Sequence, residues 1–285
     1  MPAPHADYRI TTMSKDELGI AIDWAGAEGW NPGLGDVACF HAADTGGFFL
    51  GRIGDRPVAT ISAVRYGDDF GFVGLYIVDA HHRGHGCGIR IWNHALNHLR
   101  GRVVGLDGVV AQQDNYRKSG FVFAHRNIRF AGTLRTHVVP SRSIVDLARV
   151  DRAMLAEADR QFFPAPRDAF LREWIAQPQA HSVALIDGRR LRGYGTIRQC
   201  RSGYKIGPLN ADDPEVAAEL FDALGARVPA GSVVFLDVPE PNAAAVAFAG
   251  DRAMTPTFET ARMYAGGRVE LPLERIFGIT TLELG

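Results

Sequence analysis

Residues 78–92 read VDAHHRGHGCGIRIW, and two chemistries compete for them. His81, His82, His85 and Cys87 crowd together as metal ligands do, while Arg83-x-x-Gly86-x-Gly88 running into a helical pattern has the form of a phosphate cradle. A metal such as zinc needs its ligands to converge tetrahedrally. His81 and His82 are adjacent and tend to point apart, and no second cluster elsewhere completes a ligand set. The phosphate reading uses every glycine. A pyrophosphate needs several backbone N–H donors, close approach of a chain without Cβ atoms, and the positive end of a helix dipole behind it. The run RGHGCG (83–88) offers all three. The expectation is an anion-binding loop and no metal, with the histidines as solvated loop residues.

The flanks agree with that context. Upstream, the run FGFVGLYIV (70–78) reads as a buried strand; downstream, Ile89, Trp92, Leu96 and Leu99 fall three and four apart, on one face of a helix that Gly101 ends. Further strands are expected at 48–53 and 57–66, joined by the Gly54-Asp55 turn, and at 103–108 and 121–130; a helical pattern at 15–29 breaks at WNPGLGD (30–36). The same order returns beyond the polar, proline-bearing segment 132–143: strands at 182–186, 191–200 and 204–209, a helix at 213–228, a strand at 232–238, a helix at 241–250 and a strand at 257–267. Such a plan predicts an α/β (α+β) protein of two tandem domains, residues 1–138 and 139–285, each a mixed, mostly antiparallel sheet flanked by helices. The first half lacks a convincing seventh strand before Pro140. The terminal stretch 275–285 alternates enough to be a strand, either completing the second sheet or crossing to the empty last-strand position of the first.

Composition narrows the partners. The 285 residues, 46% hydrophobic and 22% charged, are ordinary for a globular chain with room for two domains. With a net charge of −1 and scattered basic residues there is no electrostatic footprint for nucleic acid or an anionic membrane, so the expected partner is a small molecule; a homodimer is allowed for. The start MPAPHADYRITT has no apolar signal region, and no apolar run approaches the length of a membrane span. Cys39, Cys87 and Cys200 are few and far apart, which suggests neither a disulfide framework nor a zinc ribbon. A reducing cytoplasmic location is expected.

A second motif follows the loop: Tyr116-Arg117-Lys118-Ser119-Gly120-Phe121, of the form Tyr-x-x-x-Gly-Phe. Loop and motif together, in this order and after LYIV (75–78), resemble the GCN5-related N-acetyltransferases (GNATs). The second half resembles the carboxyl-terminal partner of two-domain bacterial members. The resemblance implies direct transfer of acetyl from acetyl-CoA to a primary amine of a small molecule. It implies that the backbone of Ile77 and Val78 pairs with the pantetheine arm, that the amides of Arg83, Gly84, His85, Gly86, Cys87 and Gly88 hold the pyrophosphate, and that Tyr116 protonates the departing thiolate. A phenol bonded to sulfur is a competent general acid, a role typically worth ~10²–10⁴-fold; the competing reading of Tyr116 is an aromatic cap packed on the core.

The acceptor side is less defined. The fourth strand has no Asp or Glu, so the candidates for a base are Asp107, Glu28, Asp36 and His125. The WNPGLGD turn sits where the family places its acceptor loop, which makes Trp30, Asn31 and Asp36 candidate substrate residues, with Trp30 either walling an amine pocket by cation–π contact or simply buried in a turn. In the second half, GPLNADDPEVAAEL (207–220) replaces the glycine loop; Asp213 and Pro214 make a self-satisfied helix start, and Asp212, Asp213 and Glu215 are expected to repel a phosphate. One acetyl-CoA site per chain follows, with Tyr204, Lys205 and Asn210 as second-half residues near the cleft. A non-catalytic acyl-CoA sensor is the alternative; a metal-dependent hydrolase or sensor rests only on the histidines.

Overall fold

The computed structural model describes residues 7–134 and 143–285. The first half runs β1 (Tyr8–Thr12), α1 (Lys15–Ala27), α2 (Asp36–Ala43), β2 (Phe48–Ile53), β3 (Arg56–Tyr66), β4 (Phe70–Val78), α3 (Cys87–His98), β5 (Val103–Val109), α4 (Gln113–Lys118) and β6 (Val122–Thr133). The second runs β7 (Ile144–Asp146), α5 (Arg152–Phe162), α6 (Asp168–Ile175), β8 (Ala180–Asp187), β9 (Arg190–Gln199), β10 (Tyr204–Ala211), α7 (Pro214–Gly225), β11 (Val233–Pro239), α8 (Ala243–Asp251), β12 (Thr255–Ala265) and β13 (Ile276–Gly278). The expected boundary between residues 138 and 139 lies outside the described residues. Among those described, no helix is long and apolar enough to cross a membrane.

Local chemistry accounts for the main elements. Helix α1 starts at a reciprocal capping box in which Ser14 and Glu17 bond each other's backbone N–H. Helix α3 buries Cys87, Ile91, Trp92 and Ala95. Its face is therefore rotated from the expected one: Ile89, at the helix start, is 57% exposed. Helix α2 was not foreseen, because its cap, Gly35, makes no side-chain hydrogen bond and its apolar residues have no clear period.

All the strands join one sheet, in the order β1-β2-β3-β4-β5-β12-β6-β11-β10-β9-β8-β7, with β13 paired to β10. The two halves exchange strands at the centre. Strand β12 of the second half lies between β5 and β6, antiparallel to both, and β6 of the first half lies between β12 and β11. The vacant last-strand position of the first half is thus filled from the second, but by β12 and not by the terminal stretch. Helix α6 likewise crosses over: Phe170, Leu171 and Trp174 pack in the same core as Leu18, Phe40 and Phe72.

Both halves splay at the same place. Strands β4 and β5 are parallel and pair only from Phe70↔Val103 to Val73↔Leu106. At Leu75 the chain takes a positive φ of 47°, a bulge secured by the Thr60 hydroxyl donating to the Leu75 carbonyl at 2.8 Å. Beyond it the β5-facing edge of β4 is open. In the second half β10 and β11 pair only over Tyr204–Ile206 and Val234–Leu236, but here the opening is closed. Strand β13 takes the free edge of β10, and the Ile279 amide donates to the Asp237 carbonyl on β11 at 2.9 Å.

The tail then continues into the first half. The Tyr66 hydroxyl donates to the Leu284 carbonyl at 3.1 Å, and Arg167 Nη1 to the Gly285 carbonyl at 3.3 Å. Residue 74 must be glycine for this passage: a Cβ there would sit 2.0 Å from the carbonyl oxygen of Glu283.

Candidate active site

The splay between β4 and β5 opens into a cavity of about 610 Å³ that runs from the glycine loop to the tail. One wall is β4 from Val73 to Val78, the other is β5 from Leu106 to Val109 with Tyr116 beyond it. Arg83, Gly84, Gly86, Gly88 and Ile89 form one end; Trp30, Phe258, Thr260, Leu282 and Glu283 form the other. Its size is that of a site for a substantial organic ligand.

At the loop end the geometry suits an anion. Gly84 and Gly86 have φ of +78° and +84°, and a Cβ on either would meet nothing within 4 Å, so the space in front of their backbone is open. Gly86 is the N-cap of α3 and supplies no side-chain hydrogen bond, leaving the first-turn amides to whatever binds there. Gly88 is required for another reason: a Cβ would lie 2.7 Å from the Tyr76 hydroxyl. Arg83 lies on the rim, its Nε donating to the Val78 carbonyl at 2.9 Å and its Nη2 to Glu28 at 2.5 Å. Ile77 and Val78 line the cavity on the open edge of β4. These residues fit a CoA-type ligand: an anion cradle, an unpaired strand edge and an apolar wall beside it.

Cys87 and His85 do not line the cavity. The Cys87 side chain is buried against Tyr8 and Val58, and the Tyr8 hydroxyl donates to the Cys87 carbonyl at 3.1 Å. Any contact from Cys87 to a ligand is therefore through backbone. His82 Nδ1 lies 2.9 Å from an Asp79 oxygen that also accepts the His81 amide at 3.0 Å, so this pair shapes the loop. Among the described residues no group of three or more His, Cys, Asp or Glu is placed to hold a metal ion.

Tyr116 is buried, its ring tilted against Trp92 at a centroid distance of 5.4 Å. Gly108 makes room for it, since a Cβ there would meet the Tyr116 ring at 2.2 Å. Burial, with a smaller contribution from Tyr76, pushes the phenol up to about 12, so it stays protonated.

The candidate acceptor residues divide. Trp30 lines the cavity and is held by its carbonyl, which accepts from Arg129 Nη1 at 2.8 Å and from Lys205 Nζ at 3.4 Å. Asn31 does not line it; its side chain is turned away to the Ser202 backbone, donating at 2.9 Å and accepting at 3.0 Å. Asp36 is also structural: fully buried, it accepts from Arg198 Nε at 3.0 Å and from the Gly33 amide at 2.7 Å. Both residues serve the contact between the halves, whose partners lie far along the chain. Tyr204 packs with the second half's own core and Asn210 faces a different, small pocket.

At the second half's helix start, the expected repulsion of phosphate is largely offset. Asp212 is bonded by Arg190 at 2.7 Å, Arg192 at 2.9 Å and Arg275 at 2.7 Å, and Asp213 by Arg192 at 2.7 Å. What bars that cleft is β13 and the chain after it: a Cβ on Gly207 would already be 2.5 Å from the Ile279 carbonyl oxygen.

The fold and the glycine loop together define an acyltransferase of the GNAT type, and comparison with known proteins agrees. Residues 17–122 match the Acetyltransferase (GNAT) family, and residues 155–278 match an Acetyltransferase (GNAT) domain. A curated relative, the holothin acyltransferase of Pseudoalteromonas sp. (strain SANK 73390), is 32% identical over 281 residues, covering 99% of this chain and 96% of its own. The chain belongs to the GCN5-related N-acetyltransferase family, as a tandem member whose second domain has lost the glycine loop. A Pyrococcus horikoshii protein assigned as an acetyltransferase superposes with a TM-score of 0.83 at 20% identity, covering 98% of this chain and 96% of that one. A tandem GNAT protein from the clavulanic acid biosynthesis pathway superposes at 0.63 with 12% identity, covering 92% and 100%. Family members use acyl-CoA as the donor.

Proposed function

We propose that this chain transfers an acetyl group from acetyl-CoA to a primary amine of a small molecule. The observation that carries this reading is the single cavity joining the glycine loop at one end, Tyr116 at its wall and an aromatic-lined chamber at Trp30 and Phe258. Acetyl-CoA would supply an activated acyl carbon as its thioester. The amides of residues 83–88 and the dipole of α3 would hold its phosphates, the open edge of β4 at Ile77 and Val78 would take its amide groups, and Ile89 would cover its arm.

Tyr116, on the cavity wall, would donate its hydroxyl hydrogen bond to the departing sulfur. Because the phenol is pushed to about 12 and a thiol titrates near ~8.5, full proton release is uphill. Its contribution is therefore greatest as negative charge builds on sulfur. The chamber beyond the sulfur receives the amine, and holothin, the compound named for the 32% identical relative, is the first acceptor to try.

The test is release of free CoA from acetyl-CoA with holothin and a panel of primary amines. Release that depends on both substrates supports the reading. Binding of acetyl-CoA without release for any amine would overturn it in favour of an acyl-CoA sensor.

A further inference from the structure

The carboxylates expected to act as base are committed elsewhere. Both oxygens of Asp107 are taken by Arg262, at 2.8 and 2.6 Å, and one also accepts from Asn127 at 2.8 Å. Glu28 is held by Arg83 and Asp36 by Arg198. His125 is buried outside this cavity, and burial together with Arg262 pushes it down to about 3, too weak a base to hold a proton at neutral pH.

The lining carboxylate with a buried, unbonded oxygen comes from the other half. Glu283 lines the cavity and is only 3% exposed. Its Oε2 accepts from the Thr281 hydroxyl, while Oε1 is buried with no hydrogen-bond partner. A second buried polar atom without a partner, Oγ1 of Thr260 on β12, belongs to the same cavity wall. Bare buried polar atoms are costly. Both residues line the ligand-sized cavity, where a group able to donate to a carboxylate and to exchange a bond with a hydroxyl would offset that cost. A primary amine does both.

Glu283 is also fixed at a useful place. Its backbone passes over Gly74, the residue before the Leu75 bulge at which β4 leaves β5 and its edge becomes free. The charged groups facing it are Arg129 on β6, Arg198 on β9 and Lys205 on β10. Arg129 is paired with Asp237, Arg198 reaches Asp36 through Nε alone while its Nη1 and Nη2 have no hydrogen-bond partner among the described residues, and Lys205 donates to the Trp30 carbonyl.

We propose that Glu283, carried by the C-terminal tail of the second half, takes the proton of the acceptor amine in the first half's cleft; this rests on the acyl-transfer reading above. In the step, an N–H bond of the ammonium breaks and an O–H bond forms on Glu283. The freed lone pair forms the C–N bond as the thioester C–S bond breaks. Of the three ammonium hydrogens one stays in the amide, one leaves to solvent by way of Glu283, and one is lost to solvent from the nitrogen once the C–N bond has formed, which balances the proton that Tyr116 passes to the sulfur and regains from solvent. The second domain's task is then to supply the proton acceptor that β4 lacks.

The test compares wild type with Glu283→Gln, using acetyl-CoA and an amine that wild type acetylates, from about pH 6 to about pH 10. The expected result is a fall of ~10²–10⁴-fold in kcat/KM for the amine near neutrality, with the acid limb of the profile moved up to the amine's own pKa. The calorimetric Kd for acetyl-CoA should be unchanged. An unaltered rate and profile overturn the proposal, as does a loss confined to acetyl-CoA affinity, which marks a purely structural residue. Should Glu283→Gln not fold, Glu283→Asp decides: a drop of about tenfold or more in kcat with intact binding supports the proposal, and wild-type turnover overturns it. If wild type itself releases no CoA with any amine, the acyl-transfer reading fails and this one with it. That outcome is distinct from an active wild type and an indifferent Glu283→Gln.

Discussion

Substituting Gly74→Ala places one methyl group where the tail crosses β4. The new Cβ would lie 2.0 Å from the Glu283 carbonyl oxygen, 2.9 Å from its carbon and 3.1 Å from its Cα. All three atoms are backbone, so no rotamer relieves the contact, and the tail must retreat by about 1 Å or more to reach even a tight van der Waals distance. Overpacking of this kind typically costs about 1–3 kcal/mol. At about 2 kcal/mol a chain of this length should lose roughly 3 °C in Tm. Turnover should suffer more than stability, since misplacing a reacting group by about 1 Å can cost on the order of 10²-fold. The cradle at Gly84 and Gly86 lies at the other end of the cavity, so acetyl-CoA affinity should hold. Thermal melting, calorimetry and steady-state kinetics on one preparation separate the three quantities. Wild-type turnover with an unshifted Tm would mean that the tail does not lie against Gly74, and the account of a cleft completed from the second half would be wrong.

Tyr116→Phe should lower kcat by ~10²–10⁴-fold while leaving the Kd for acetyl-CoA in place; an unchanged kcat would make the residue an aromatic cap and nothing more. Calorimetric titration should give one acetyl-CoA per chain, and Gly86→Asp, which sets a carboxylate in front of the α3 amides, should abolish it; two equivalents per chain would mean that the tail leaves the second cleft. His125 is held neutral down to about 3 in the folded chain against an ordinary value of 6.5. Below 6.5 the unfolded chain therefore takes up a proton that the folded chain refuses, and stability falls as pH drops toward 3, by ~2 kcal/mol at about pH 5. His125→Gln should remove that part of the acid loss in urea unfolding at about pH 7 and about pH 5, and an identical slope in the variant would refute the assignment.

The legible parts of this protein are the local ones. The glycine loop, the Tyr116 motif and most strands are each specified within a few residues, and they lie where their own turn and helix chemistry puts them. What escaped reading depends on distant segments. Asp36 looks like a free carboxylate in a turn until Arg198, 162 positions later, closes on it. Ile89 has the period of a core residue, yet its place at the first turn of α3 leaves it facing the cavity. The alternation in residues 275–285 marks extended chain but holds no sign of which of two similar clefts it enters, and only Ile276–Gly278 forms ladder pairs. Glu283 therefore carried no signal as a site residue: its meaning comes from where this segment lies, against Gly74 and the cavity, not from its neighbours in sequence.

The exchange of β6 and β12 also bears on how the chain is made. A ribosome delivers the glycine loop, α3 and β5 early, but β5 cannot gain its second neighbour until Thr255–Ala265 has emerged, and the cavity wall waits for residues 282 and 283, later still. The nascent first half must therefore carry an unpaired strand edge through most of translation, a state prone to faulty pairing with other chains. A change that delays or weakens β12 is felt across both halves, in a sheet whose first-half strands were translated more than a hundred residues before.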